Sequence, residues 1–266
     1  MKLRPCIDIH NGKVKQIVGG SLSDEKKSAV ENYVSEYDAD YYASLYKKDN
    51  LPGGHIILLN PSGTPEYEAD MEQARKALTA YPGGMQIGGG ITAESAGSFL
   101  EMGASHVIVT SYVFHEGRID YGRLENLTKE VGREHLVLDL SCRRKGEKYY
   151  IVTDRWQKFT DVAISTETLE EMAPFCSEYL IHAVDSEGKK NGIEEKLVEL
   201  LSRFDRCPVT YAGGVGSLKD LKTLNEAGKG RLDVTIGSAL DLFGGRLSYK
   251  EAVNYCKSEG LEFGDR

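Results

Sequence analysis

Two aspartates end short apolar runs, where a carboxylate is placed for chemistry. Asp8 follows PCI in PCIDIHNGK, and Asp139 follows LVL in LVLDLSCR. Two carboxylates at one site divide acid and base work if their surroundings push their pKa values apart. The plainer reading is that each caps a turn or pairs with an arginine such as Arg4.

Two longer stretches repeat each other. Residues 86–111 read QIGGGITAESAGSFLEMGASHVIVTS, and residues 210–238 read TYAGGVGSLKDLKTLNEAGKGRLDVTIGS. Each is an apolar run, a glycine pair, a helical stretch, a second apolar run and a small turn containing serine. The offset is 124 residues from Gly89 to Gly213 and 127 from Ser111 to Ser238. Backbone N–H groups in such loops cradle a phosphate without Lys or Arg. Glycine suits them because a Cβ would block close approach. Gly89, Gly90, Thr110 and Ser111 form one candidate phosphate site, and Gly213, Gly214, Gly237 and Ser238 the other. A ligand with a phosphate at each end would use both. Alternatively, the glycines serve only as tight turns.

These residues need elements to carry them. LRPCIDI, HIILLN, MQIG, HVIVT, HLVLDLS, YLIHAVD, PVTYAG and LDVTIGS read as strands, and KVKQIVGG as an additional extended piece. Helical patterns follow in EYEADMEQARKALTA, TAESAGSFLEMG, YGRLENLTKEV, GIEEKLVELLSRF, SLKDLKTLNEAG and YKEAVNYCKSE. Eight apolar strands alternating with amphipathic helices predict a parallel sheet closed as a (β/α)8 TIM barrel with an internal half-barrel duplication. An open doubly wound sheet is the other possibility. The barrel is expected to form one domain over residues 1–266. The polar, tyrosine-rich segment 19–53 shows weak periodicity, and its elements are placed poorly. In a barrel, chemistry sits at the carboxyl ends of the strands. Alternation points Cys6 and Asp8 inward with Leu3, Pro5, Ile7 and Ile9 outward. It likewise points Val137 and Asp139 inward, with Leu136, Leu138 and Leu140 outward.

Composition excludes several classes. The 266 residues are 40% hydrophobic and 28% charged, as in globular chains, and carry a net charge of -8. An acidic balance gives no support for nucleic-acid binding. No apolar run approaches the ~20 residues that span a bilayer, so no membrane partner is expected. MKLRPCIDI does not read as a signal peptide. Cys6, Cys142, Cys176, Cys207 and Cys256 are odd in number and lack CxxC spacing, which suggests reduced thiols and a cytoplasmic protein.

The pieces PCIDIHNGKVKQIVGG, QIGGGI, VTS, LVLDL, IHAVDSEGKKNGI, YAGGVGSLKDL and VTIGSALDLFGG span almost the whole chain. In that order they resemble the phosphoribosylformimino-5-aminoimidazole carboxamide ribotide isomerase family, the barrel isomerases of histidine biosynthesis. HAVDSEG and DLFGG look like the branch found in fungi and plants. The resemblance implies an Amadori rearrangement of an aminoaldose to an aminoketose. Asp8 matches the family's general base and Asp139 its general acid. The implied substrate is a small bis-phosphorylated ribonucleotide. Neither a metal nor an organic cofactor is implied, and a monomer is favoured. As an acid near neutral pH, Asp139 needs a raised pKa, from partial burial or a substrate charge.

The chain departs from the bacterial pattern at the end of the sixth strand. His182, Ala183, Val184 and Asp185 replace a TD-type ending, and His182 and Asp185 become candidates for touching the sugar. His10-Asn11 and Asn60 stand where many relatives have acidic residues. Past the fifth strand, RRKGEKYYIVTDRWQKFT reads as a hairpin turning at Lys145-Gly146, placed to act as a lid. The resemblance implies that an aromatic of this loop covers the substrate. Trp156 is expected to stack on the flat imidazole carboxamide, with Arg143 or Arg155 at its polar edge; otherwise Trp156 packs the hairpin onto the rim. Two other functions fit part of these data: the cyclase subunit of imidazole glycerol phosphate synthase, and a catalytically silent barrel that senses sugar phosphates.

Overall fold

Inside a ring of strands every second side chain meets its counterparts across the ring, while the others meet the helices. The chain obeys this rule in a computed structural model that describes residues 1–17, 31–154, 156–186 and 192–262. The parallel strands are β1 (Cys6–His10), β2 (Gly54–Leu58), β3 (Met85–Gly88), β4 (Val107–Val109), β5 (Leu136–Asp139), β6 (Glu178–His182), β7 (Val209–Ala212) and β8 (Leu232–Thr235). Each pairs with the next in parallel. Ile108, Val137, Leu180 and Ala212 make a small cluster of their own, distinct from the larger core. Their chain neighbours Val107, Val109, Leu136, Leu138, Tyr179, Ile181 and Tyr211 belong to that larger core. Two apolar layers thus follow from alternation, and each fully buried Ile or Leu is worth about 1.5–3 kcal/mol.

The ring closes at its amino end. Leu3 bridges Val234 in parallel, Arg4 N–H donates to the Val234 carbonyl at 2.8 Å, and Val234 N–H donates to that of Lys2 at 3.0 Å. Farther along β1, Asp8, Ile9 and His10 pair antiparallel with the strand Lys13–Ile17, which in turn pairs with Glu31–Val34.

Helices α1 (Ala39–Lys48), α2 (Pro65–Ala80), α3 (Ala93–Glu101), α4 (Tyr121–Val131), α5 (Thr166–Met172), α6 (Glu195–Leu201), α7 (Leu218–Ala227) and α8 (Tyr249–Glu262) complete the alternation. Local chemistry sets their starts. Thr64 accepts from Tyr67 N–H ahead of Pro65, Thr92 and Ser95 form a capping box, and Ser217 accepts from Asp220 N–H. α1 and α5 have no counterpart among the helices expected from sequence. In α1 the buried positions are Ala39, Tyr42, Ala43 and Tyr46, which is helical spacing written in alanines and tyrosines. α5 buries only Leu169 and Met172, a single pair too sparse to mark an apolar stripe. Among the described residues no helix is long and apolar enough to cross a membrane.

A polar plug fills the barrel floor. Thr210 Oγ1 and Gln86 Nε2 donate to the Glu178 carboxylate at 2.7 and 3.0 Å. Arg4 lies 3.7 Å from Glu178 and 3.0 Å from Asp233. Arg4 therefore serves barrel closure; its carboxylate partners are these two, not Asp8 or Asp139. Burial pushes the Glu178 carboxyl upward, and Arg4, Thr210 and Gln86 offset this only in part. Breaking a buried charge pair leaves its partner uncompensated. Glu178→Ala is expected to destabilise the protein by about 3 kcal/mol or more. Urea unfolding would measure it, and a loss under about 1 kcal/mol would show that the plug does not hold the ring.

Candidate active site

The eight carboxyl ends surround a cavity of about 770 Å3. Asp8 and Asp139 both line it, from β1 and β5, four strands apart on the ring. Inward register brings them together, as alternation predicts.

The two glycine turns also face this cavity, and they are conformational copies. Gly89 and Gly90 have φ of +114° and +68°, and Gly213 and Gly214 have +120° and +76°. L-residues rarely adopt such angles. At three of the four, the turn itself requires glycine. A Cβ on Gly89 would overlap the Leu58 carbonyl, one on Gly213 would sit 2.8 Å from the Ala183 carbonyl, and one on Gly214 would overlap that of Gly192. At Gly90 the nearest atom would be Ser62 Cβ at 3.6 Å, so packing leaves room there. Thr110, Ser111, Gly237 and Ser238 complete the same two rims.

Asp139 sits in a network that its own strand begins. Ser141, two residues on, donates its backbone N–H and its hydroxyl to Oδ1 at 2.9 and 2.7 Å. His182 Nδ1 lies 3.4 Å from the same oxygen. Burial alone would raise the Asp139 pKa, but His182, Ser141 and His55 outweigh it and hold the carboxyl below its ordinary value. A raised pKa, expected for an acid, is therefore not the state of this site without substrate.

Trp156 Nε1 donates to Ser141 Oγ at 3.0 Å, and its ring lies 6.0 Å from that of His182. Trp156 holds φ at +69°, an outlier for so large a residue. Its loop follows the hairpin Cys142–Lys145 and Lys148–Thr153, which a third strand, Lys158–Ala163, extends. Asp154 N–H donates to Ser111 Oγ at 3.0 Å, tying this loop to one glycine-turn rim.

Arg143 and Asp185 go elsewhere. They pair with each other, Nε to Oδ1 at 2.9 Å, and Arg144 N–H donates to Asp185 Oδ2. Neither belongs to the cavity wall, whereas His182 and Trp156 do. Their pairing anchors the base of the hairpin. Arg155 and part of KVKQIVGG lie outside the described residues. Asn11 and Asn60 bond reciprocally at 2.7 and 2.9 Å, so the two noted departures join the β1 and β2 loops.

Among the cavity residues that sequence reasoning missed are Gln16, His55 and Ser141. Gln16 Nε2 donates to Asp8 Oδ2 at 3.4 Å. His55 is the β2 register partner of Cys6, so the alternation that turned Cys6 inward could have found it. Burial, aided by repulsion from His182 and opposed by Asp139, pushes the His55 pKa down to about 3.

The histidine biosynthesis protein family matches residues 2–247 of this chain. The chain belongs to that family. A chloroplastic relative from Medicago truncatula is 53% identical over 95% of this chain and 81% of its own length. Relatives from Neurospora crassa and Saccharomyces cerevisiae are 43% and 40% identical, each over 96% of this chain and 98% of their own. All three bear the name 1-(5-phosphoribosyl)-5-((5-phosphoribosylamino)methylideneamino) imidazole-4-carboxamide isomerase. In this chain Gln16 contacts Asp8, while Ser141 and His182 contact Asp139.

A histidine kept neutral by burial takes up protons on unfolding, so the unfolded state binds more protons between pH 6.5 and about 3. His55 therefore contributes stability that is complete above pH 6.5 and falls as the pH drops through that window. The urea midpoint of the wild-type protein should fall from pH 6.5 to pH 5, and His55→Asn should flatten that slope. Parallel slopes in the two proteins would show that another group carries the dependence.

Proposed function

We propose that this protein is the isomerase of histidine biosynthesis named in its relatives, converting a bis-phosphorylated aminoaldose ribonucleotide to its aminoketose. One observation carries the reading. Asp8 and Asp139 face one cavity from opposite strands, between two matched glycine turns. The turns are about equivalent in conformation, which suits a ligand with a phosphate at each end. Successive backbone N–H groups in such turns make anion-binding concavities. The relatives bear the isomerase name and not that of the cyclase.

In this reading Asp139 protonates the furanose ring oxygen, and the C1–O bond breaks to give a Schiff base. Asp8 takes the C2 proton and leaves an enolamine. Return of that proton to C1, with loss of the C2 hydroxyl proton to Asp139, gives the ketone. No proton is gained or lost overall. Asp139 starts from a lowered pKa, so substrate must shift it. Phosphate charge and the expulsion of water both favour the protonated carboxyl. His182, 3.4 Å away, is placed to share the transferable proton.

Trp156 covers the imidazole carboxamide. Offset stacking on an indole is worth about 0.5–1.5 kcal/mol beyond area burial. Arg143 is released from the substrate role because Asp185 holds it. The reading includes one barrel domain over residues 1–266. It places the protein in a reducing, cytoplasmic compartment, in keeping with five free cysteines. One chain supplies every residue invoked, so a monomer suffices.

Asp8→Asn and Asp139→Asn should each lower kcat by roughly 10²-fold or more, with ligand affinity largely kept. Spectroscopic turnover assays decide this, and near-wild-type kcat in either variant would remove the assignment. Trp156 is the only tryptophan. Its fluorescence should change saturably on adding product, and Trp156→Ala should weaken binding by about 3–10-fold without unfolding the protein. An unresponsive emission spectrum with normal affinity in the variant would return Trp156 to rim packing.

A further inference from the structure

Cys6, Asp8 and His55 stand together on the inner face of the barrel. Cys6 and Asp8 are two residues apart on β1 and so point the same way. His55 is the register partner of Cys6 on β2. One ligand-type atom from each, the thiol sulfur, a carboxylate oxygen and an imidazole nitrogen, lies within 4.8 Å of the other two. A tetrahedral zinc ion about 2.0–2.3 Å from each ligand holds them roughly 3.5 Å apart, so the three atoms need to draw in only slightly to share one ion.

The present occupant of the gap supports this geometry. Gln16 Nε2 donates to Cys6 Sγ at 3.7 Å and to Asp8 Oδ2 at 3.4 Å. One positively polarised group already bridges sulfur and oxygen, which marks where a cation would sit. Gln16 would swing aside to admit it.

We propose that Cys6, Asp8 and His55 bind a borderline divalent cation of the zinc class, and that the bound ion blocks the barrel mouth. Binding releases the thiol proton to solvent and forms a metal–thiolate bond, with no change of oxidation state. Thiolate and carboxylate charges then cancel the ion's two positive charges, which eases the burial of all three. The thiolate selects zinc, cobalt or cadmium over magnesium or calcium. Three protein ligands leave a fourth position, which faces the cavity and would hold water. The inhibitory half rests on Asp8 being the base, because the ion takes the lone pair that would receive the C2 proton.

Co2+ added to the full-length, metal-free protein tests the site. A thiolate-to-cobalt charge-transfer band should rise in the near ultraviolet, saturate at one equivalent and vanish on adding Zn2+. Cys6→Ser should abolish the band while its circular dichroism stays native. Cys207→Ser, which alters the half-buried thiol outside the barrel, should leave it intact. His55→Asn keeps the thiolate and should weaken cobalt binding at least about tenfold. No band, a band that survives Cys6→Ser, a band lost with Cys207→Ser, or undiminished affinity in His55→Asn would each overturn the site. Zn2+ at saturation should lower turnover at least about tenfold, with recovery on chelation. Cobalt binding as described with turnover untouched by Zn2+ would overturn the inhibitory half and leave the metal site standing, while near-wild-type kcat in Asp8→Asn would instead remove the base role on which inhibition rests.

Discussion

Closure of the ring is the constraint on which everything else depends. Without closure, residues 2–4 ahead of β1 would lose their backbone partners on β8, and the inward residues would face water. Here Lys2 and Arg4 take up the backbone of Val234, and the Arg4 side chain ties Asp233 to Glu178. Closure turns the alternating side chains into two environments. The floor holds a hydrogen-bonded ionic plug. The mouth holds carboxylates and imidazoles from strands far apart in sequence.

At the mouth, the same alternation gives electrostatics that no single segment possesses. Asp139 is held anionic by groups from β2, from β6 and from the residues just past its own strand. His55, equally buried, is held neutral. Burial penalises charge in both; what separates them first is the His182 imidazole, whose charge favours the Asp139 carboxylate and opposes a charge on His55. Hydrogen bonds from His182 and from Ser141 then add to the stabilisation of the Asp139 carboxylate.

Ser141 joins this network to the loop above it. Its hydroxyl donates a hydrogen bond to Asp139 and accepts one from the Trp156 indole N–H. Ser111 makes the second tie, accepting from Asp154 at the rim of a glycine turn. The positive φ of Trp156 is thus sustained by contacts at both ends of its loop. A ligand that engages that turn and the Asp139 carboxyl would touch the two residues that hold the tryptophan in place.

The sequence by itself determined which way Asp8 and Asp139 point, because a strand's period of two follows from backbone geometry. It determined the paired glycine turns, since left-handed angles at adjacent positions call for glycine. It also determined the hairpin at Lys145-Gly146 and six of the helices. The helix Ala39–Lys48 escaped because its buried stripe is alanine and tyrosine, and Thr166–Met172 because only Leu169 and Met172 are buried in it. Only tertiary structure decided the partners. Arg143 and Asp185 each looked suited to a ligand, yet the fold joins them to each other, 42 residues apart, at the foot of the hairpin. Only the fold brought His182 to Asp139 across 43 residues and thereby lowered a pKa that catalysis seemed to need raised. Periodicity and backbone angles are local and can be read from neighbouring letters. Charge pairing and desolvation depend on which strands become neighbours in the closed ring.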